Sequence, residues 1–324
     1  MIQVEHISKT FKVSRRGAGF SEAFKALFHR QYECIKALND ISFTIEDGEM
    51  VGYIGPNGAG KSSTIKVLSG ILTPEEGNCT INGRIPWKER TTHVKDIGVV
   101  FGQRSQLWWD VPVIDSFELL RDIYRIPEQL YHKNLDELTV LLNLEQIIRT
   151  PARQLSLGLR MRCEIAASLL HSPKILFLDE PTIGLDAVSK LAVRDFILEM
   201  NRNHKTTVIL TTHDMQDIES LTKRIILIGK GKILMDGNLD GIKKQFSENK
   251  RLTVEYSGGN LTLIDGMEFI VLGKGHAEID IDSNKISVSD AISHLSGQVE
   301  LSDISVSGPS IDEVVAQLYQ QYQI

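Results

Sequence analysis

Apolar residues along this chain follow two rhythms. Through the first two thirds, short continuous apolar runs alternate with longer stretches at helical spacing. The β-rich runs are 48–55 (GEMVGYIG), 174–180 (KILFLDE), 206–213 (TTVILTTH) and 224–237 (RIILIGKGKILMDG). Runs without strict alternation predict strands covered on both faces, hence a partly parallel sheet in an α/β domain. Between them, 189–203 (SKLAVRDFILEMNRN) carries a helical pattern, and 115–148 reads as mostly helical with an interruption near Pro127. After about residue 245 the rhythm shortens. Segments 251–257, 268–273, 276–282, 285–289 and 299–307 read as short strands, with helical patterns in SDAISHLSG and SIDEVVAQLYQQY. This predicts a small α+β domain over about 246–324.

Two of the apolar runs lead into candidate chemistry. Gly55-Pro56-Asn57-Gly58-Ala59-Gly60-Lys61-Ser62 fits G-x-x-x-x-G-K-[ST], with a strand before it and a helical pattern after it. Glycines let backbone N–H groups point inward around a phosphate, and the helix N-terminus adds partial positive charge. Lys61 reaches toward β- and γ-phosphates, the Ser62 hydroxyl suits Mg²⁺, and Ser63 is placed for the α-phosphate. The candidate nucleotide contacts are thus Gly55, Asn57, Gly58, Ala59, Gly60, Lys61, Ser62 and Ser63. Farther on, Ile175-Leu176-Phe177-Leu178-Asp179-Glu180 is an apolar strand ending in two carboxylates. Asp179 suits a water-mediated Mg²⁺ ligand, and Glu180 is placed to polarise an attacking water.

With Pro181-Thr182-Ile183-Gly184-Leu185-Asp186 following directly, the chain resembles the ATP-binding subunits of ABC transporters. GPNGAGKSS resembles their Walker A loop, ILFLDE their Walker B strand, and Gly184-Leu185-Asp186 their D-loop. His213 matches the switch histidine and Gln103, in VVFGQRSQL, the glutamine that senses Mg²⁺ and water. Leu155-Ser156-Leu157-Gly158-Leu159-Arg160 stands where the signature belongs. Leu157 and Leu159 depart from its usual glycine and glutamine, while Ser156 and Gly158, the expected contacts to a partner's ATP, are kept. The resemblance covers residues 1 to about 240. It implies Glu180, His213 and Gln103 as catalytic groups, and Ser62, Gln103 and Asp179 around Mg²⁺. For the adenine-stacking aromatic it implies Phe11, at the family position in SKTF, with Tyr32, at the end of an insertion over about 14–33, as the rival.

The implied fold is an α/β P-loop ATPase of the ABC class. It has a mostly parallel core sheet, an antiparallel β subdomain, a helical subdomain at about 112–160, and a small C-terminal α+β domain. The expected boundaries are 1–245 for the ATP-binding domain and 246–324 for the accessory domain. LWWDVPVIDSFELL and GPSIDEVVAQLY further resemble the ATPase subunits of ABC-2-type exporters. That implies ATP and Mg²⁺ as ligands, a homodimer with ATP sandwiched head to tail, and a separate permease holding the subunit at the cytoplasmic face of the membrane. The rival readings are a soluble ABC ATPase without a permease and a regulatory nucleotide-binding module. Against the first, the interval from Ser62 to Asp179 shows no sustained heptads and the chain has one cassette; against the second, Glu180 and His213 are retained.

Composition adds exclusions. The 324 residues carry 42 acidic and 36 basic side chains, a formal charge of −6. Nucleic-acid binders usually show the opposite excess, so no nucleic-acid partner is expected. Cys34, Cys79 and Cys163 form no metal-spaced pair, which points to a reducing compartment. No apolar run approaches the ~20 residues of a membrane span, and MIQVEHISKTF lacks the apolar stretch of a signal peptide. Three local patterns remain. Adjacent Trp108 and Trp109 are expected either to divide between core and permease interface or to pack together in the helical subdomain. Asp280, Asp282 and Asn284 mimic a calcium loop but lack its glycine and final glutamate, and read as an exposed strand end. Phe20, Ala23, Phe24, Leu27 and Phe28 form one apolar helical face beside Arg15, Arg16, Lys25 and Arg30, predicting a short amphipathic helix for a permease or lipid surface.

Overall fold

The chain opens with a long antiparallel ribbon, β1 (Ile2–Ser14) against β2 (Tyr32–Ile45). The computed structural model describes residues 1–14, 32–102, 104–245 and 249–323, so the proposed amphipathic helix and Gln103 lie outside the described residues. After β3 (Met50–Ile54) and α1 (Lys61–Leu68), β4 (Glu76–Ile81) joins the other edge of β1 to complete a three-stranded antiparallel sheet. The short α2 (Arg90–His93) leads to β5 (Ile97–Phe101). Three helices follow: α3 (Val113–Tyr124), α4 (Glu128–Leu141) and α5 (Leu157–Leu169). The interruption expected near Pro127 is the α3–α4 junction, where Arg125 ends α3 in the left-handed conformation and Pro127 caps α4. Proline has no N–H to lose at a helix start and cannot continue the helix before it.

Then β6 (Ile175–Asp179), α6 (Ala187–His204), β7 (Thr207–Thr211), α7 (Met215–Leu221), β8 (Arg224–Gly229) and β9 (Lys232–Asn238) complete a six-stranded sheet in the order β5-β6-β7-β3-β8-β9. Its pairings β5–β6, β6–β7, β7–β3 and β3–β8 are parallel, as the doubly covered apolar runs require. β8 and β9 are joined by Lys230 and Gly231, both at positive φ, the geometry of a tight hairpin turn. Ile2, Ile7, Leu38 and Ile41 of the first sheet share one core with Val51, Ile65, Phe177, Ile209 and Ile226.

The chain divides into two compact units, Met1–Asp236 and Gly237–Gln323, so the break falls inside β9, before the expected position near residue 245. The second unit holds α8 (Leu239–Gln245), β10 (Asn249–Ser257), β11 (Met267–Leu272), β12 (His276–Asp282), α9 (Val288–Ser296), β13 (Glu300–Ser307) and α10 (Ile311–Gln321). Its sheet is antiparallel, in the order β11-β12-β10-β13. Leu252, Val254, Ile279 and Ile281 pack there with Ala291 and Leu295 of α9. Residues 285–289, expected as a strand, are instead a turn and the start of α9. Ser287 accepts a hydrogen bond from the Asp290 N–H at 3.1 Å, and this cap starts a helix where the local pattern alone suggests alternation. Asp280 pairs with Arg251 across the β10–β12 register, which accounts for the acidic strand end.

Candidate functional site

The glycine-rich loop leaves the buried end of β3 and turns into α1. Glycine is required at both ends for steric reasons. A Cβ on Gly55 would lie 2.2 Å from the Ile228 carbonyl oxygen, and one on Gly60 would lie 2.6 Å from that of Ala37. Gly60 also sits at φ +117° as it caps α1, a conformation side chains disfavour. The turn after β8 steadies the loop, since Gly231 N–H donates to the Ala59 carbonyl at 2.9 Å. Lys61 is buried, and its Nζ donates to the carbonyls of Gly55 at 2.6 Å and Pro56 at 3.2 Å. Burial lowers the lysine pKa, while the carboxylates of Glu180 and Asp179 oppose that shift. Those two acids therefore stand within electrostatic reach of the loop. Asn57, Gly58 and Ser62 are exposed and Ser63 is half-buried.

Parallel pairing of β6 with β7 sets Asp179 opposite Thr211, whose hydroxyl donates to Asp179 Oδ1 at 2.6 Å. Glu180 leaves the strand at φ +57°, and its N–H donates to the Thr211 carbonyl at 2.9 Å. The turn brings Glu180 Oε1 to 2.6 Å from Nε2 of His213, which stands just past β7. Residues separated by more than thirty positions thus meet because adjacent parallel strands end together. The end of β5 closes against the same point: Gly102 N–H donates to the Asp179 carbonyl at 2.8 Å, and a Cβ there would lie 2.4 Å from the Glu180 carbonyl oxygen. A cavity of ≈ 410 Å³ adjoins Glu180, Ile183, Gly184, Lys190 and His213. The acceptors here are carboxylate and hydroxyl oxygens, the donor set that suits Mg²⁺. With the lysine and loop amides beside them, these residues fit a magnesium–triphosphate ligand.

The signature segment lies at the N-terminus of α5. Ser156 is exposed and caps the helix, its Oγ accepting from Leu159 N–H at 3.3 Å. Gly158 is buried, and a Cβ on it would lie 2.3 Å from Ser189 Oγ in the first turn of α6. Leu157 fills the space over Gly184, where a Cβ would come within 2.9 Å of Leu157 Cδ2. The segments that resemble the signature and the D-loop are therefore packed together within the chain. Asp186 caps α6, accepting from Ser189 N–H at 2.9 Å and Oγ at 2.7 Å, and these bonds draw its carboxyl pKa down.

The β1–β2 register separates the two candidate aromatics. Phe11 pairs with Ile35 and Ser14 with Tyr32, three residues along a regular ladder, so Phe11 and Tyr32 sit on opposite faces. Lys9, which lies over the Phe11 ring, pairs with Leu38, and Leu38 is the residue packed on Gly60. The ladder shifts register between Lys9 and Thr10, so what places Phe11 on the Lys9 side of the ribbon is its contact with that side chain. Trp108 and Trp109 depart from both expectations. Neither is core, at 59% and 50% exposed, because the segment runs along the surface before α3 with Arg160 of α5 over the Trp109 ring.

Two buried acids escaped sequence reasoning. Glu164 of α5 accepts from Ser105 Oγ and from Gln106 N–H at 3.0 Å, and burial raises its pKa. Asp217 of α7 is fully buried against Arg194 and two threonines. For Glu164 the only local signal was an acid within a small-residue helical run, for Asp217 there was none, and no spacing identifies the distant partners of either.

Residues 38–183 match the family model described as ABC transporter. The chain is similar to the daunorubicin resistance ATP-binding protein DrrA3 of Streptomyces coeruleorubidus, 30% identical over 299 residues, covering 89% of this chain and 93% of that one. It is also similar to the methionine import ATP-binding protein MetN 2 of Enterococcus faecalis, 35% identical over 65% of this chain and 62% of that one. Among solved structures, the dimeric post-hydrolysis state of the ATP-binding cassette MJ0796 with ADP and Pi is similar at TM-score 0.61 and 25% identity, covering 74% of this chain and 99% of that one.

Proposed function

The chain belongs to the ABC transporter ATP-binding proteins, and on that premise we propose that it drives export through a separate ABC-2-type permease. Its activity is ATP hydrolysis, with Mg²⁺ as the metal. Bound Mg²⁺ supplies charge neutralisation at the β- and γ-phosphates, and Ser62, Asp179 and Gln103 are the residues to hold it. The observation that carries the catalytic reading is the 2.6 Å contact of Glu180 with His213, within electrostatic reach of buried Lys61. Glu180 accepts the proton of the attacking water. His213 orients Glu180 and contacts the γ-phosphate. Lys61 exchanges its two loop carbonyls for phosphate oxygens, and the amides from Gly58 to Ser63 cradle the β-phosphate. Gly55 and Gly60 permit that loop path, Asn57 and Ala59 line it, and Phe11 stacks on adenine.

The exposed Ser156 at the N-terminus of α5 is the contact for a partner's ATP in a head-to-tail homodimer, and the separate permease is what holds that dimer at the cytoplasmic face of the membrane. Gly158 supports that contact by letting α5 approach α6. Export is favoured over import by the extent of the likeness. The resistance protein aligns across 89% of the chain, whereas the importer aligns over 65%. Trp108 and Trp109 stand exposed beside the segment of Gln103, the face where a permease docks. Glu180→Gln tests the catalytic assignment. ATP binding is retained and phosphate release falls by ~10²–10⁴-fold, the usual loss for a general base; release within twofold of wild type removes Glu180 from the role.

A further inference from the structure

Asp217 makes no contact that the hydrolytic reading uses, yet segments carrying both hydrolytic groups end on it. Its Oδ2 accepts from Thr182 Oγ1 and, at 3.0 Å, from Thr212 Oγ1; its Oδ1 accepts from Arg194 Nε at 2.5 Å. Thr182 lies two residues after Glu180, and Thr212 immediately precedes His213. Arg194 belongs to α6, the helix that the D-loop Asp186 caps. A second acid repeats the connection one turn away. Asp214 accepts from Lys190 Nζ of α6 at 2.5 Å and caps α7 through Gln216 N–H at 3.0 Å, and its own N–H donates to Thr212 Oγ1 at 3.0 Å. Arg194 Nη2 stands 3.5 Å from Asp214 Oδ1.

An ion pair in this position is costly to desolvate, and well-packed apolar residues often serve stability as well. What such a pair with two hydroxyl donors supplies, and apolar packing does not, is directional fixing of the groups it holds. Directional fixing is needed here. Glu180 has left-handed backbone geometry, which persists only where surrounding contacts hold it, and His213 is on an exposed turn. We infer that Asp217 is a positioning residue for hydrolysis: through Thr182 and Thr212 it fixes the placement of Glu180 against His213, and through Arg194 it ties both to the D-loop helix. This inference rests on the catalytic reading of Glu180 and His213.

The test uses the full chain. Thr182→Val and Thr212→Val each remove one arm with little change of shape. Each is made singly, so that a variant failing to fold leaves the other to decide. Either lowers the single-turnover hydrolysis rate by about tenfold, the scale of a sub-ångström misplacement. KM for ATP stays within twofold, because the phosphate loop is untouched. Thr182→Ser and Thr212→Ser, which keep the hydroxyl, return the rate to near wild type. In a Glu180→Gln background Thr182→Val causes no further loss, since that arm acts through Glu180. Serine variants as slow as the valine variants overturn the inference, as does an undiminished effect of Thr182→Val in the Glu180→Gln background or an unchanged rate in both valine variants. Wild-type turnover by Glu180→Gln alone instead overturns the catalytic reading beneath it, so the two failures are distinct.

Discussion

Gly158→Ala turns the packing of the signature against the D-loop helix into a measurable quantity. The new Cβ would stand 2.3 Å from Ser189 Oγ and 2.8 Å from Ser189 Cβ, against an ordinary contact of about 3.4 Å or more. Relief requires α5 and α6 to separate by about an ångström, or Ser189 to give up its place beside Asp186. Overpacking a close contact of this kind costs about 1–3 kcal/mol. Alanine in place of glycine inside a helix returns about 0.5–1 kcal/mol. At the middle of both ranges overpacking wins, and the net loss is about 1 kcal/mol, which for a unit of this size lowers Tm by about 2–4 °C. Thermal unfolding monitored by hydrogen exchange in α5 and α6 measures it locally, without requiring both units to melt together. The Ser189→Gly partner completes a double-mutant cycle. Removing both clashing atoms makes the alanine nearly harmless, with a coupling of about 1–2 kcal/mol. A coupling near zero, or Gly158→Ala as stable as wild type, refutes the packing argument and leaves Gly158 as a nucleotide contact alone.

Other perturbations follow the same reasoning. Gly60→Ala forces a side chain onto φ +117° and against the Ala37 carbonyl; the backbone conformation alone costs about 1–3 kcal/mol, and the Tm increase that MgATP gives wild type is lost in the variant. Glu164 has a raised pKa from burial, only partly offset by its bonds to Ser105, Gln106 and Leu107 and by Arg160. An acid with a raised folded-state pKa contributes stability that is present below its unfolded pKa and is lost as pH rises through the folded value. Glu164→Gln therefore gains stability relative to wild type as pH rises from 4 toward neutrality, on the order of that linkage; denaturant titrations at several pH values check the sign, and an opposite trend contradicts the burial argument. Replacing Trp108 and Trp109 together with alanine leaves basal phosphate release of the isolated subunit within about twofold, since surface changes rarely exceed ~0.5 kcal/mol, while co-purification with the permease is lost; unchanged co-purification places the docking surface elsewhere.

The glycine-rich turn after β3 and the two acids at the end of β6 were legible in the sequence as candidates because each is local, whereas His213 stood out only through the family resemblance. A strand, a glycine-rich turn and a helix start follow one another within a dozen residues, and the physical need for glycine at Gly55 and Gly60 appears as spacing. The parallel sheet was legible for a similar reason, since strands buried on both faces lose alternation. Fine boundaries were less so. The pattern of 285–289 fits a strand as well as a helix start, and the Ser287 cap decided between them.

What the sequence by itself determined, then, is the class of fold and a set of candidate residues for phosphate, metal and proton chemistry. The tertiary structure decided which of them meet. The contact of Glu180 with His213 depends on β6 and β7 ending side by side, the opposite faces of Phe11 and Tyr32 depend on the β1–β2 register, and the packing of Gly158 on Ser189 depends on how closely two helices approach. Asp217 shows the limit most clearly. One buried carboxylate gathers Thr182, Arg194 and Thr212 from a helix and the turns after two strands, and no periodicity encodes such a convergence. Local patterns report backbone preference and burial, which neighbours along the chain largely set; a site is a meeting of distant groups, and only the packed chain fixes that.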